Sequence, residues 1–122
     1  MARRRVALGE IGEDLACREL ERLGYAILAR RYRRPGGEID IVCRDQGTVV
    51  FVEVKTRDGD TFGGGPEAIT WVKRRRIVAV ATDFLARHGL HAAPCRFDVV
   101  SVSLGAQGPS VDVFRAAFDA GG

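Results

Sequence analysis

Apolar residues recur at Leu8, Ile11, Leu15, Ala16, Leu20 and Leu23, a spacing of three and four that predicts an amphipathic helix over 8–23 with Gly24 as its stop. On a helical wheel Glu13 falls at the border of this apolar stripe and Glu10 points away from it. YAILARRY (25–32) reads as a strand and RPGG (34–37) as a turn. Two runs then alternate with a period of two, EIDIVCR (38–44) and TVVFVEVKT (48–56), joined by DQG. After the glycine-rich loop DGDTFGGG (58–65), Pro66 opens a second helix reaching His88. Its predicted inner face is Ile69, Val72, Ile77, Val80, Ala81 and Phe84, and Gly89 ends it. RFDVVSVSL (96–104) and VDVF (111–114) complete the order α-β-β-β-α-β-β. Strands interleaved with two helices predict an α/β domain with a central mixed sheet flanked by helices.

The hairpin 38–56 carries the chemistry. Glu53 and Lys55 share a strand face with Phe51, and Val50, Val52 and Val54 point the other way. A two-residue turn at Gln46-Gly47 places Asp40 opposite Glu53 and Glu38 opposite Lys55. A three-residue turn with a bulge shifts the register by one and sends Asp40 to the other face. The even register is preferred because it collects the charges on one face. Opposed carboxyls about 5 Å apart repel. Two things relieve that: a raised pKa, or a cation between them. Carboxylate oxygens, waters and a substrate phosphate are the ligands Mg²⁺ takes, and Lys55 is within reach to stabilise a phosphate or orient water. The alternative is a salt-bridged surface, with Glu38 on Lys55 and the other acids on nearby arginines.

Composition narrows the setting. At 122 residues, with 46% hydrophobic and 29% charged, residues 1–122 are expected to form one domain with its own core. No apolar run approaches a membrane span. The basic start MARRRVALGE lacks the hydrophobic stretch of a signal peptide, so neither is expected. Cys17, Cys43 and Cys95 show no CxxC spacing, which suits reduced thiols in a cytoplasmic protein. Ser101 and Ser103 have no neighbouring histidine, so nucleophilic catalysis is not expected.

Net charge is only +3, yet the cations cluster in RRR (3–5), RRYRR (30–34) and KRRR (73–76). Such clusters are a footprint for phosphate backbone. Arg31, Arg33, Arg34, Arg57, Lys73, Arg74 and Arg75 are the candidate nucleic-acid contacts, and at least two of residues 74–76 must face solvent. Trp71 and Tyr32 are candidates to stack on bases, with core or interface packing preferred for Trp71. Asp98 is expected to make a structural hydrogen bond or to pair with Arg96.

Across the two hairpin strands, D-x12-E-x-K resembles the PD-(D/E)xK nuclease signature, with Ile39 where the signature names proline. GEDLACRELERLGYAILARRYR (12–33), GEIDIV (37–42), FVEVKTR (51–57), PEAI followed by Lys73, and RFDVVSV (96–102) resemble, in order and over nearly the whole chain, the YraN family of small bacterial endonuclease-like proteins. That family is similar to archaeal Holliday-junction resolvases, homodimers that cut branched DNA and use a first-helix glutamate at the metal site. The resemblance implies a restriction-endonuclease-like fold and an endonuclease dependent on Mg²⁺ or Mn²⁺ that hydrolyses phosphodiester bonds in DNA. It further implies Glu13, Asp40 and Glu53 as metal ligands, Asp40, Glu53 and Lys55 as catalytic residues, and a homodimer. Two rivals stand beside it: a non-catalytic nucleic-acid-binding module acting in a larger complex, and a protein-interaction scaffold.

Overall fold

Three two-residue connections and one long one set the topology of the sheet. The computed structural model describes residues 2–59 and 66–121, leaving aside the side chains of residues 2–6 and Glu67. Helix α1 (Ala2–Arg22) leads into β1 (Ala26–Arg34), β2 (Gly37–Asp45) and β3 (Thr48–Asp58). A 3-10 turn (Pro66–Ala68), α2 (Trp71–Arg87), β4 (Cys95–Gly105) and β5 (Gly108–Phe118) follow. The strands lie in chain order in one sheet. Short turns make β1–β2, β2–β3 and β4–β5 antiparallel, and the connection through α2 makes β3–β4 parallel. This mixed five-stranded sheet with two helices has the element order expected from the sequence. No helix among the described residues is long and apolar enough to cross a membrane.

The helices cover opposite faces. Val42, Phe51, Phe97 and Val99 pack with Ile77, Val80 and Phe84 of α2. Ile41, Cys43, Val50, Val52, Val100 and Val102 pack with Ala16, Cys17 and Leu20 of α1. Successive residues of β3 therefore serve opposite layers, which is why the strand reads as a nearly continuous apolar run.

Several expected boundaries shift, for physical reasons. Helix α1 begins at Ala2, because residues 2–7 contain no glycine or proline to stop it. Helix α2 begins at Trp71 and not at Pro66. Pro66 opens the 3-10 turn, Ile69 inserts into the core, and Thr70 adopts extended backbone while its hydroxyl accepts the Lys73 N–H at 3.1 Å, an N-cap. β5 is longer than 111–114, since the turn after Gly105 starts pairing at once. Ile11 and Val72, expected on inner faces, are 46% and 52% exposed. The buried stripe of α2 is Ile77, Val80, Ala81 and Phe84. Continued backwards by three and four residues, it meets Lys73 and Arg74, not Val72.

Gly12 lets α1 approach β3 closely. A Cβ there would stand 1.9 Å from Thr56 Oγ1 and 2.8 Å from its Cβ. Gly12→Ala is expected to destabilise the fold by about 1–3 kcal/mol through overpacking, although alanine is the better helix former by up to about 1 kcal/mol. A urea melt checks this, and a midpoint at or above wild type would show that α1 shifts freely.

Candidate functional site

From the turn at Gln46-Gly47 the β2–β3 ladder runs from Asp45↔Thr48 to Ile41↔Val52, the even register preferred from the sequence. There it stops. One step further the same register would set Asp40 against Glu53, but the Val54 N–H donates instead to Asp40 Oδ2 at 2.8 Å. A side-chain carboxyl thus takes the place of a strand carbonyl, and the two strands part around it. Ile39 packs in the α2 layer and Ile41 in the α1 layer, so the period-two alternation of β2 breaks at Asp40. Arg31 lies between the Arg30↔Ile41 and Tyr32↔Ile39 pairs of the neighbouring strand. Its backbone is left-handed, φ 51, which costs a non-glycine residue about 1 kcal/mol or more. The expected Glu38–Lys55 pair does not form; Glu38 lies 3.3 Å from Arg33 Nε.

Into this opening come two acids and a lysine. Glu53 is buried at 5% exposure. Lys73, on the inward continuation of the α2 stripe, brings Nζ to 2.6 Å from Glu53 Oε2. That oxygen is buried, and among the described residues its partner is this ammonium. Burial, then the hydrogen bond to Glu53 and the charge of Glu53, push the pKa of Asp40 up to about 9, against the pull of the Val54 N–H and Lys73. Burial works against the Lys73 ammonium, but Glu53, Asp40 and Glu38 outweigh it and hold its pKa above the ordinary value. Both devices that relieve a carboxyl pair are therefore present: a retained proton and a neighbouring cation.

Lys55 shares the face of Glu53, lies beside Ser101 of β4, and has no ion-pair partner among the described residues. Arg57 follows on that face, with Nε buried and without a hydrogen-bond partner among the described residues. Thr56 turns to the other face, under Gly12. Glu13, at 6% exposure, is more buried than a border position implies. Its oxygens are held by Arg30 Nε at 2.8 Å and Arg31 Nε at 3.2 Å. Asp40 and Glu38 line two clefts at once. One, of about 240 Å³, also holds Glu13, Arg31 and Arg33; the other, of about 410 Å³, holds Glu53, Lys73 and Arg76.

The remaining candidates divide by what already holds them. Arg34 lies 3.2 Å from Asp83. Arg74 donates to the carbonyls of Ile69 and Pro66, each at 3.1 Å, and lies over Phe118. Arg75 is exposed, over Trp71, and donates to the Ala120 carbonyl. Of the two candidate stacking residues, Tyr32 packs edge-on against Phe84 and donates its hydroxyl to Asp83 at 2.8 Å. Trp71 is 64% exposed. Of residues 74–76, at least two of which were expected to face solvent, Arg75 and Arg76 do, and Arg76 lines the acidic cleft. Burial raises the thiol pKa values of Cys17 and Cys43, which does not suit nucleophiles.

Asp40 and Glu53 suit a hard divalent cation, because a crowded carboxyl pair gains from positive charge, part of which the Lys73 ammonium beside Glu53 already supplies. Among the described residues no three His, Cys, Asp or Glu side chains converge as a metal cage, and Glu13 is engaged by its arginines.

The model of the Uncharacterised protein family UPF0102 matches residues 12–102, a span that holds Glu13, Asp40, Glu53, Lys55, Lys73 and Asp98. The chain belongs to the UPF0102 family. This is the YraN family whose motifs the sequence resembles. A UPF0102 protein of Roseiflexus castenholzii is 48% identical over 114 residues, covering 93% of this chain and 92% of its own. One of Anaeromyxobacter dehalogenans is 47% identical over 118 residues, covering 97% and 88%. One of Mycolicibacterium smegmatis is 50% identical over 103 residues, covering 83% of each.

Proposed function

We propose that this UPF0102 chain is a divalent-metal-dependent endonuclease that hydrolyses phosphodiester bonds in DNA, at branched or otherwise structured positions. The observation that carries the proposal is the pair Asp40 and Glu53, a half-buried and a buried carboxyl brought together where the β2–β3 ladder opens, with lysines on the same face. Asp40 and Glu53 would hold Mg²⁺ or Mn²⁺, which when bound acts as a Lewis acid on the phosphate and lowers the pKa of attacking water. Lys55 would set its ammonium against the scissile phosphate or orient the water. Lys73 neutralises Glu53 and is positioned to move to a substrate phosphate. Arg31, Arg33, Arg57 and Arg75 would take backbone phosphates, a contact that positions DNA without reading its sequence. Glu13 fixes Arg30 and Arg31 at the rim of the smaller cleft. The preference for branched DNA rests on the resemblance to junction resolvases, as does a homodimer, whose two sites suit the cutting of two strands.

One observation favours a second reading. The Lys73 ammonium already stands beside Glu53, an arrangement equally suited to a nucleic-acid-binding module that cuts nothing. Labelled linear duplex, single-stranded, flap and four-way DNA, incubated with Mg²⁺, Mn²⁺ or chelator, separate the two. Cutting is expected only with metal, and is expected to fall by about 10²-fold or more in Glu53→Gln and in Lys55→Ala. Salt-sensitive binding with no cutting of any substrate would select the binding module.

A further inference from the structure

Next to the acidic cleft, the outer face of α2 and the β1–β2 turn enclose a second groove of about 680 Å³. Its walls include Arg34, Pro35, Trp71, Val72, Arg75 and Arg76. Trp71 and Val72 are large apolar side chains left open to solvent. The Arg75 guanidinium lies 5.9 Å from the centre of the Trp71 ring. The one acid among the described lining residues, Asp83, is already met by Tyr32, Arg34 and Arg87, so their charge is positive on balance. An exposed indole among guanidinium groups is the chemistry that takes a nucleobase on its face and the adjoining phosphates on its rim. Bases stacked within a duplex cannot offer that face, so an unpaired strand is required. The groove is also continuous with the acidic cleft: Gly36, Val72 and Arg76 line both.

We propose that this groove binds an unpaired DNA strand, with a base stacked on Trp71 and phosphates on Arg75 and Arg76, and leads it to Asp40 and Glu53. The proposal rests on the nuclease reading for what happens at the cleft, but the groove binds whether or not cutting follows. It would account for a preference for flaps and branches, where duplex meets a free strand.

Trp71 is the single tryptophan of the chain, so its fluorescence reports on the groove alone. With chelator present, a short single-stranded oligodeoxynucleotide is expected to quench the emission saturably, and a blunt hairpin duplex is not. Trp71→Ala and Arg76→Ala, followed by anisotropy of a labelled oligonucleotide, are each expected to weaken binding at least about fivefold. Trp71→Phe, which keeps a stacking face, is expected to retain most of the affinity. Oligonucleotide binding that leaves the emission unchanged, or is unaltered in Trp71→Ala, overturns the site. So does tighter binding of the same sequence as RNA, or an emission shift that follows protein concentration alone together with a doubled mass, which would assign the face to a second copy. Quenching by a wild type that cuts nothing sinks the nuclease and keeps the groove. Flap cutting at the wild-type rate by Trp71→Ala removes the groove and keeps the nuclease.

Discussion

Asp40→Asn should abolish metal-dependent cutting and yet give a protein that is more stable than the wild type at alkaline pH. The carboxyl of Asp40 has an ordinary value of 3.8 when the chain is unfolded, and in the folded protein burial and Glu53 raise it to about 9. Between those values the folded state binds the proton more tightly than the unfolded state does. The stability this contributes is fully present below the ordinary value and is lost as pH rises through the folded one. Asparagine has no proton to lose there, and its amide oxygen can still accept the Val54 N–H. The advantage of Asp40→Asn should therefore widen as pH rises towards 9, by on the order of several kcal/mol, and be read as a higher Tm. Thermal melts of both proteins across that range, with chelator present, check the claim. Curves that run parallel at every pH would show that Asp40 is not the strained carboxyl described here. The stability gained with the activity lost is the usual signature of a functional site whose charges are held against their preference.

The opposite behaviour is expected of Asp98. It is fully buried, and its carboxylate accepts from Arg96 Nε at 3.1 Å and from the Ala116 N–H at 2.9 Å. It therefore makes both contacts the sequence suggested, a backbone hydrogen bond and the Arg96 pair. Asp98 sits where the β4–β5 register shifts between Phe97 and Val99, opposite a strand in which Ala116 is held at φ 50. Arg96 in turn reaches Asp45 and the Tyr25 hydroxyl, so one half-buried cation ties β2 and β4 to the segment after α1. Asp98→Ala leaves that guanidinium half-compensated and an amide without its acceptor. The expected loss is about 3–5 kcal/mol, read from the urea midpoint, with cleavage per folded molecule unchanged at low temperature. A loss under about 1 kcal/mol would mean that water replaces the carboxylate at no great cost.

How much of this was legible depended on whether the deciding interaction was local. The hairpin register was, because collecting the charges on one face selects the even turn, which fixes the β2–β3 pairs as far as Ile41↔Val52. The grouping of Glu53 and Lys55 with Phe51 followed from strand parity. The start of α2 was misplaced because Pro66 is a good first helical residue, and the cap at Thr70 depends on where Ile69 enters the core. Lys73 was nonetheless a candidate for the site or for phosphate contact, and the stripe Ile77, Val80, Ala81 and Phe84 points back to the place it takes beside Glu53. The capture of Glu13 by Arg30 and Arg31 depends on how β1 passes beneath α1, which no local pattern records. The breaking of the ladder at Asp40 is likewise a contest among β1, β3 and a side chain. Packing was the preferred use of Trp71 in the sequence, yet it stands 64% exposed while Tyr32 is half-buried against Phe84.

The two-residue turn at Gln46-Gly47 stands six residues from Glu53, about 20 Å along the strand, and lines neither cleft around Asp40. It nevertheless acts as a parity bit for the chemistry. A length change of two residues leaves every side chain on its own face. A change of one must either be absorbed as a bulge or exchange the two layers, sending the acids beneath α1 and the valines into the cleft. A remote loop of this kind tolerates almost any amino acid that can make the turn, yet almost no odd change in length. In this protein, counting residues matters more there than reading them.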